Sequence, residues 1–510
     1  MNWGEELWAT HSRYGNRIGV VDREGSHTTG AIIDRAAGIS DHLTGLGIGP
    51  GAFVATVCEN SALAVSASYA VALSGAAEVP VNPLLSEAEL AHALACTNAS
   101  VVLVDGADRL PKLTAPLIDV REFAARRFTP AGWPDVEDDA PSRIVFTSGT
   151  TGPAKGAIHT QRSRWTGALM LRAALPILPD KSNRILLMTP FSHGTSLLTF
   201  AFLSEGASVH LLRGVNIADV MPLLASGTIT DIFAPPTVLA KIVDAAALPE
   251  YAGQSYPLRT IFTGTAPLTP SIYHKAAARF GEIIRVTYGK SEIFNPITVL
   301  DPKETADAYA EPLTDGLCVG WPATGVSVQI RDDEGRILHG EAGQIFLHSP
   351  HLSAGYMTRD GLWMLGKGEY HETGDMGRVD NQGRLFLVSR QSDMMKSGGY
   401  KISPDEVERA LAAALPDTQI VVLGYPSDYW GEIVMLIAER PPSDWHERLA
   451  PALAKMTSYK RPRLFAEIAD LPRNSIGKVS RAGLRRWLQD THELTEQPKP
   501  RLTLKNKAQP

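Results

Sequence analysis

The strongest constraint on the fold is an alternation that runs through most of the first 390 residues, in which short apolar runs are separated by stretches of helical length. Phe53–Cys58 has the length and β-branched content of a strand, and the small-residue stretch Ala62–Ser74 reads as a helix. Ser86 with Glu89 three residues on forms a capping box that opens a helix through Leu94, and Ser100–Val104 is the next strand. The rhythm resumes with strands at Ile185–Thr189, Ala207–Leu212, Asp231–Ala234, Leu258–Thr263 and Ile283–Thr287, and with helices such as Pro270–Phe280. Strands joined through helices need crossover connections, so the sheets are expected to be mainly parallel. From about residue 315 to 390 the chain turns Gly-rich, with short strands such as Gln344–His348 and Arg384–Val388, which predicts antiparallel β-structure. After Arg390 a small α+β unit is expected through residue 490. The polar tail, 491–510, has no apolar periodicity and is expected to be disordered.

Charge and cysteine content exclude several classes. The 49 basic and 55 acidic side chains leave a net charge of -6, so nothing suggests nucleic acid or an anionic surface as partner. Cys58, Cys96 and Cys318 lie far apart in no metal-like spacing, which suits a reducing compartment. Met1–Glu6 is acidic and lacks the basic and apolar regions of a signal peptide. The most apolar stretch, Ala62–Val81, is interrupted by serines, Gly75 and Glu78, so a buried helix and strand explain it better than a membrane span. A cytoplasmic location is expected.

Chemistry concentrates first in Phe146-Thr147-Ser148-Gly149-Thr150-Thr151-Gly152-Pro153-Ala154-Lys155-Gly156, which carries four hydroxyls, three glycines and one lysine. Glycines free backbone N–H groups to turn toward an anion, hydroxyls add donors, and the lysine adds a full charge, so the loop suits a polyphosphate. It lacks the Walker spacing. Taken alone, the composition fits a solvated linker equally well.

Further motifs follow in order: Thr263-Gly264-Thr265-Ala266-Pro267-Leu268, Tyr288-Gly289-Lys290-Ser291-Glu292, Thr373-Gly374-Asp375 with Arg390, Ser397-Gly398-Gly399-Tyr400-Lys401, and Pro472-Arg473-Asn474-Ser475-Ile476-Gly477-Lys478. Together with the hydroxyl-rich loop, this series resembles the adenylate-forming superfamily of acyl-CoA synthetases, adenylation domains and firefly-type luciferases. The resemblance runs from about residue 30 to 490. It implies an α/β fold with a large N-terminal domain, residues 1–390, made of mainly parallel α/β subdomains and a small β-barrel-like subdomain. A small, mobile α+β C-terminal domain, residues 391–490, would carry a catalytic lysine.

Residue roles follow from the same resemblance. Thr147, Ser148, Gly149, Thr150, Thr151, Gly152 and Lys155 would hold the ATP phosphates. Gly264, Thr265, Ala266, Thr287, Tyr288, Gly289, Ser291, Asp375 and Arg390 would surround adenine and ribose. Tyr288 offers a flat face for a purine, although a tyrosine after a strand is also an ordinary core residue. Asp375 can accept from ribose hydroxyls, although an Asx-turn residue has the same surroundings. Glu292 is a hard oxygen ligand suited to Mg²⁺, and Lys478 would neutralise charge at the reacting carboxylate and α-phosphate. Pro190-Phe191-Ser192-His193-Gly194 resembles the segment beside the acyl pocket, with His193 at its gate and Thr199, Thr237, Gly264, Thr265, Phe294 and Asn295 around it. No acidic residue lies in 190–200, which favours an acid without an α-amine. Gly398, Gly399 and Trp430 would line a CoA route, with the basic run Tyr459–Arg463 near its nucleotide, although a solvated basic face has the same composition.

The pattern departs from the family at several positions. Thr265 replaces a common glycine, Thr287 a common adenine-contacting amide or acid, Ser291 a threonine, and Ser196 a glycine. Ser392 stands at the hinge, where Asp or Lys is usual. The implied activity is that of an ATP-dependent acid–CoA ligase, an AMP-forming acid–thiol ligase that uses Mg²⁺, releases pyrophosphate and passes an acyl-adenylate to CoA. An acyl-AMP ligase feeding a carrier protein in trans and a non-catalytic nucleotide-binding homologue are the alternatives. A homodimer through the large domain would fit as well.

Overall fold

The computed structural model describes residues 3–106, 115–129, 132–147, 154–294, 296–310, 316–366, 368–397, 400–427, 430–473, 478–495 and 500–504. The alternation produces two parallel-rich sheets. In the first, of seven strands, the order is Ile284–Val286, Thr260–Thr263, Asp231–Phe233, Arg184–Leu187, Ser208–Leu211, Ile18–Asp22 and Gly25–Thr28. All neighbours are parallel until the last pair. The second, of eight strands, runs Gly361–Met364, Gly355–Thr358, Lys155–Thr160, Pro141–Thr147, Ala77–Pro80, Phe53–Val57, Val101–Val104 and Leu117–Asp119.

Short-range signals set the helix ends. The helix Ala62–Ser74 is capped by the Ser61 hydroxyl at one end and closed at the other by Gly75 at φ 78°, a left-handed stop that glycine adopts without penalty. Ser86 and Glu89 form the expected capping box on the helix Glu87–Thr97. The helix Pro270–Phe280 has a proline in its first turn and the Thr269 hydroxyl as cap.

The Gly-rich segment does not stay together. Most of its strands join a seven-stranded antiparallel sheet ordered Thr298–Val299, Leu317–Pro322, Leu385–Arg390, His371–Val379, Gly343–His348, Ser327–Arg331 and Ile337–Leu338. The hairpin Gly355–Thr358 and Gly361–Met364 leaves it and extends the eight-stranded sheet, with Tyr356 opposite Ala157.

Beyond Met395 a separate sheet forms, with Tyr400–Ile402, Met395–Ser397, Gly431–Glu439 and Ile420–Ser427 antiparallel and Leu464–Ile468 parallel to Gly431–Glu439. Helices Pro404–Ala412, Trp445–Lys455 and Arg481–Thr491 accompany it. Its apolar clusters contain only residues from Met395 onward, whereas those of the first three sheets lie between Leu7 and Leu387. The expectation of a disordered tail is corrected for its described part. His492–Thr495 pairs antiparallel with Arg501–Leu504. Leu494 and Leu502 pack on the second of the C-terminal clusters, which anchors two short polar strands. No described helix is long and apolar enough to cross a membrane.

Candidate functional site

The site forms where the strand His371–Val379 passes the turn after Ile284–Val286. Asp375 is its hub. Its Oδ2 accepts from the Tyr288 hydroxyl at 2.5 Å and from Lys290 Nζ at 3.3 Å, and Arg390 Nε lies 3.3 Å from Oδ1. Lys290 also donates to the Thr373 carbonyl at 2.7 Å. Asp375 and Arg390 are direct cross-strand partners, which explains why residues fifteen apart converge. Burial, followed by the Asp375 charge, raises the Tyr288 phenol well above its ordinary pKa, so it remains a donor.

Gly264 packs against this turn, where a Cβ would come within 2.6 Å of the Thr287 carbonyl. That close approach demands glycine. Thr265 follows at φ 68°, exposed and in a left-handed conformation that a β-branched residue seldom adopts. Ala266 and Gly289 are half-buried beside it. Thr287 is buried, and its hydroxyl donates to the Thr298 carbonyl at 3.5 Å. The Ser291 carbonyl accepts from His159 Nε2 at 2.8 Å.

A second group gathers around Glu292. The Tyr356 hydroxyl donates to Glu292 Oε1 at 3.0 Å, and Lys155 Nζ sits 5.9 Å from the Tyr356 ring centre. The transferred hairpin makes this possible, since it places Tyr356 beside the strand that begins at Lys155. His371 completes the cluster, with its ring 6.3 Å from that of Tyr356.

The third component is cationic. Lys478 sits close enough to Arg390, Lys290 and Asp375 for their charges to act on it. Burial, then the two cations, holds its ammonium at about 8 against the pull of Asp375. Lys478 also acts on His193, whose pKa is pushed down to about 4 by burial, Arg143 and Lys478 in that order. His193 is therefore neutral at neutral pH. It lies in a π-helical turn, Phe191–Thr195, at φ -117° and ψ -140°. The Ser196 hydroxyl donates to the His193 carbonyl at 2.8 Å and accepts from Arg143 Nη2 at 2.9 Å. Ser196, in place of a glycine, thus ties this turn to the eight-stranded sheet.

Other expected residues are placed less centrally. Thr199 is fully buried and its hydroxyl donates to the Thr195 carbonyl at 2.9 Å, as helix-internal threonines do. Thr237 is in the first turn of the helix Pro236–Ala246. Phe294 is buried and stacks on His159 with ring centres 3.7 Å apart. Trp430 packs in the C-terminal unit with the Arg463 guanidinium 4.0 Å from its ring centre. The basic run is largely engaged, because Lys460 pairs with Glu406 and Arg461 donates to the Met456 and Ala454 carbonyls. Ser392 lies in the 3-10 turn Gln391–Asp393 between the two units. Ser148, Gly149, Thr150, Thr151, Gly152, Asn295, Gly398 and Gly399 lie outside the described residues, and of Thr147 only the backbone pairing with Lys155 is described.

Residues 7–357 match the AMP-binding enzyme family. The chain belongs to that family. Membership bears out the resemblance to adenylate-forming enzymes. The 2-succinylbenzoate–CoA ligase of Listeria monocytogenes is 27% identical over 462 residues, 89% of this chain and 92% of the relative. A long-chain-fatty-acid–CoA ligase of Mycobacterium tuberculosis is 28% identical over 482 residues, 89% and 91% of the two chains. The amide bond synthetase McbA from Marinactinospora thermotolerans has the same fold, with TM-score 0.79, 24% identity and coverage of 96% and 100%. The first two relatives are named as CoA ligases, in keeping with the AMP-forming acid–thiol ligase that the resemblance implies.

Sequence reading passed over Lys290, Tyr356 and His371. Lys290 occupies the variable place in its motif. Tyr356 and His371 carry no local signal, because their position depends on which sheet each strand joins.

Proposed function

We propose that this AMP-binding enzyme is an ATP-dependent acid–CoA ligase. The observation that carries the reading is the approach of Lys478, from the C-terminal unit, to Asp375, Arg390 and His193 of the large unit. A cation there meets a place already lined by a ribose-type acceptor and a neutral gate residue.

In the first half-reaction a carboxylate oxygen attacks the α-phosphorus of ATP and the bond to pyrophosphate breaks. Asp375 would accept from the ribose hydroxyls, Tyr288 would pack on the purine, and Lys155 with the hydroxyl-rich loop would hold the β- and γ-phosphates. Lys478 would lie over carboxylate and α-phosphate, where negative charge crowds in the transition state. Magnesium fits the donors present. Glu292 is a single hard carboxylate steadied by Tyr356, and no cluster of three or more metal-ligating side chains occurs among the described residues. That suits a cation held mainly by phosphates and water, which would supply charge neutralisation on the leaving group.

In the second half-reaction a CoA thiol attacks the acyl carbonyl and AMP leaves. Withdrawal of Lys478 by rotation of residues 391–490 about Ser392 would open the acyl carbon, with Gly398, Gly399 and Trp430 along the thiol's approach. The dispersion of acids among the relatives' names leaves the acyl group to be found by assay. A cytoplasmic location, where ATP and CoA are supplied, suits the reading.

The test is acid-dependent pyrophosphate release from ATP across aryl, fatty and polycyclic acids, with and without CoA. Release followed by a CoA-dependent thioester and AMP supports the ligase. Release without thioester moves the acceptor to a carrier protein. Binding of ATP with no turnover on any acid would favour the non-catalytic homologue.

A further inference from the structure

His371 opens the strand that carries Thr373 and Asp375, and side chains on a strand alternate. The burial pattern keeps His371, Thr373 and Asp375 on one buried face, with Glu372 exposed between them. Between Glu372 and Met376 the pairing shifts register and Gly374 stands at φ 69°, so the strand bulges between His371 and Asp375. The nucleoside residues stand at the Asp375 end. At the His371 end stand Tyr356, 6.3 Å away ring to ring, and through its hydroxyl Glu292, with Lys155 over the same ring. On the nucleotide reading above, the strand would pass from the ribose side of the site toward the side of Lys155 and Glu292.

His371 is 7% exposed, and among the described residues nothing hydrogen-bonds its Nε2. A buried polar atom left without a partner costs free energy that a bound ligand can recover. Glu292 and Asp375 act on the ring against Lys290, and beside carboxylates a lone pair is less favourable than an N–H. Nε2 is thus suited to be a donor in search of an anionic acceptor. The expected motifs include no role for this position.

We propose that His371 binds the polyphosphate end of ATP, its Nε2–H donating to a β- or γ-phosphate oxygen and remaining on the pyrophosphate as it leaves. The assignment rests on the nucleotide reading above and extends it to a residue that would distinguish ATP from AMP.

Calorimetric titration of the whole chain with MgATP, Mg-pyrophosphate and AMP tests it. Loss of a hydrogen bond to a charged group predicts that His371→Leu binds MgATP and pyrophosphate about tenfold more weakly or worse, with AMP affinity unchanged. His371→Gln, which keeps an N–H donor, recovers part of the loss. Equal weakening of ATP and AMP would reduce His371 to a packing role, and unchanged ATP affinity would remove it from the site. Either result overturns the assignment. A loss confined to magnesium-containing buffer would assign the ring to the cation and overturn it too. A wild-type chain that binds neither ATP nor AMP would sink the nucleotide reading itself, whereas wild-type binding unaffected by His371→Leu sinks only this inference.

Discussion

Replacing Lys478 by methionine keeps most of the aliphatic stem and removes the charge. Burial, with Arg390 and Lys290, takes the ammonium from its ordinary 10.5 to about 8. That drop corresponds to about 3 kcal/mol of discrimination against the charged form. At pH 7 the side chain is still protonated, so the fold carries the net cost that Asp375 does not offset. Because the folded pKa lies below the unfolded one, the unfolded chain binds more protons between about pH 8 and 10.5. The penalty is therefore fully present below about pH 8 and fades as the pH rises to about 10.5. Lys478→Met should be more stable than the wild type near pH 7, by up to about 3 kcal/mol, with the difference shrinking toward pH 10. Its pyrophosphate release should fall by about 10²–10³-fold or more, because charge at the α-phosphate is no longer met. Thioester formation from a supplied acyl-adenylate should survive, since the lysine is expected to have withdrawn by then. Urea unfolding at the two pH values and the two half-reaction assays measure all of this. A variant less stable than wild type near pH 7 would show that partners within the folded chain already compensate the ammonium. Wild-type pyrophosphate release would place the reacting atoms elsewhere. Either result refutes the reasoning.

Two further outcomes follow from backbone and charge. Thr265→Gly removes a β-branched residue from a left-handed conformation at φ 68° and should stabilise the chain by about 1 kcal/mol. Gly264→Ala next to it should destabilise, since its Cβ meets the Thr287 carbonyl at 2.6 Å, and thermal unfolding of both variants checks the pair. Glu78 is fully buried with Arg143 and Arg164, each 3.6 Å from its Oε2, and accepts from Ser68 and Thr56. Glu78→Leu strands two buried guanidiniums and should cost about 3–5 kcal/mol in denaturant unfolding. A loss below about 1 kcal/mol would mean that water reaches the cluster.

Legibility in the sequence tracked the range of the interaction. Ser86 and Glu89 act within one helical turn and form the capping box where the residues placed it, and Ser61 and Gly75, which were not read as caps, bound their helix by equally local bonds. The motif residues Tyr288, Glu292, Asp375 and Arg390 were legible as types, because a donor, a hard acceptor and a cation have few substitutes. Their mutual contacts were not, nor was the insertion of Lys290 between Thr373 and Asp375.

By itself, then, the amino-acid order determined the strand–helix alternation, the caps, the parallel class of the first two sheets and the inventory of groups able to hold a nucleotide. Those properties depend on φ/ψ preference, side-chain period and hydrogen bonds a few residues apart. Only the tertiary structure decided that the hairpin at Gly355 would join the eight-stranded sheet, opposite Gly156–Ile158, and so carry Tyr356 to Glu292, 64 residues away. Tertiary packing also decided that His371 would be buried on the same strand as Asp375 and that Lys478 would come within reach of the charges of Arg390, Lys290 and Asp375. The physical reason is register. A strand's alternation sorts its side chains into two faces, but which face meets the site depends on the neighbour it pairs with, and that choice is made by the packing of the whole chain.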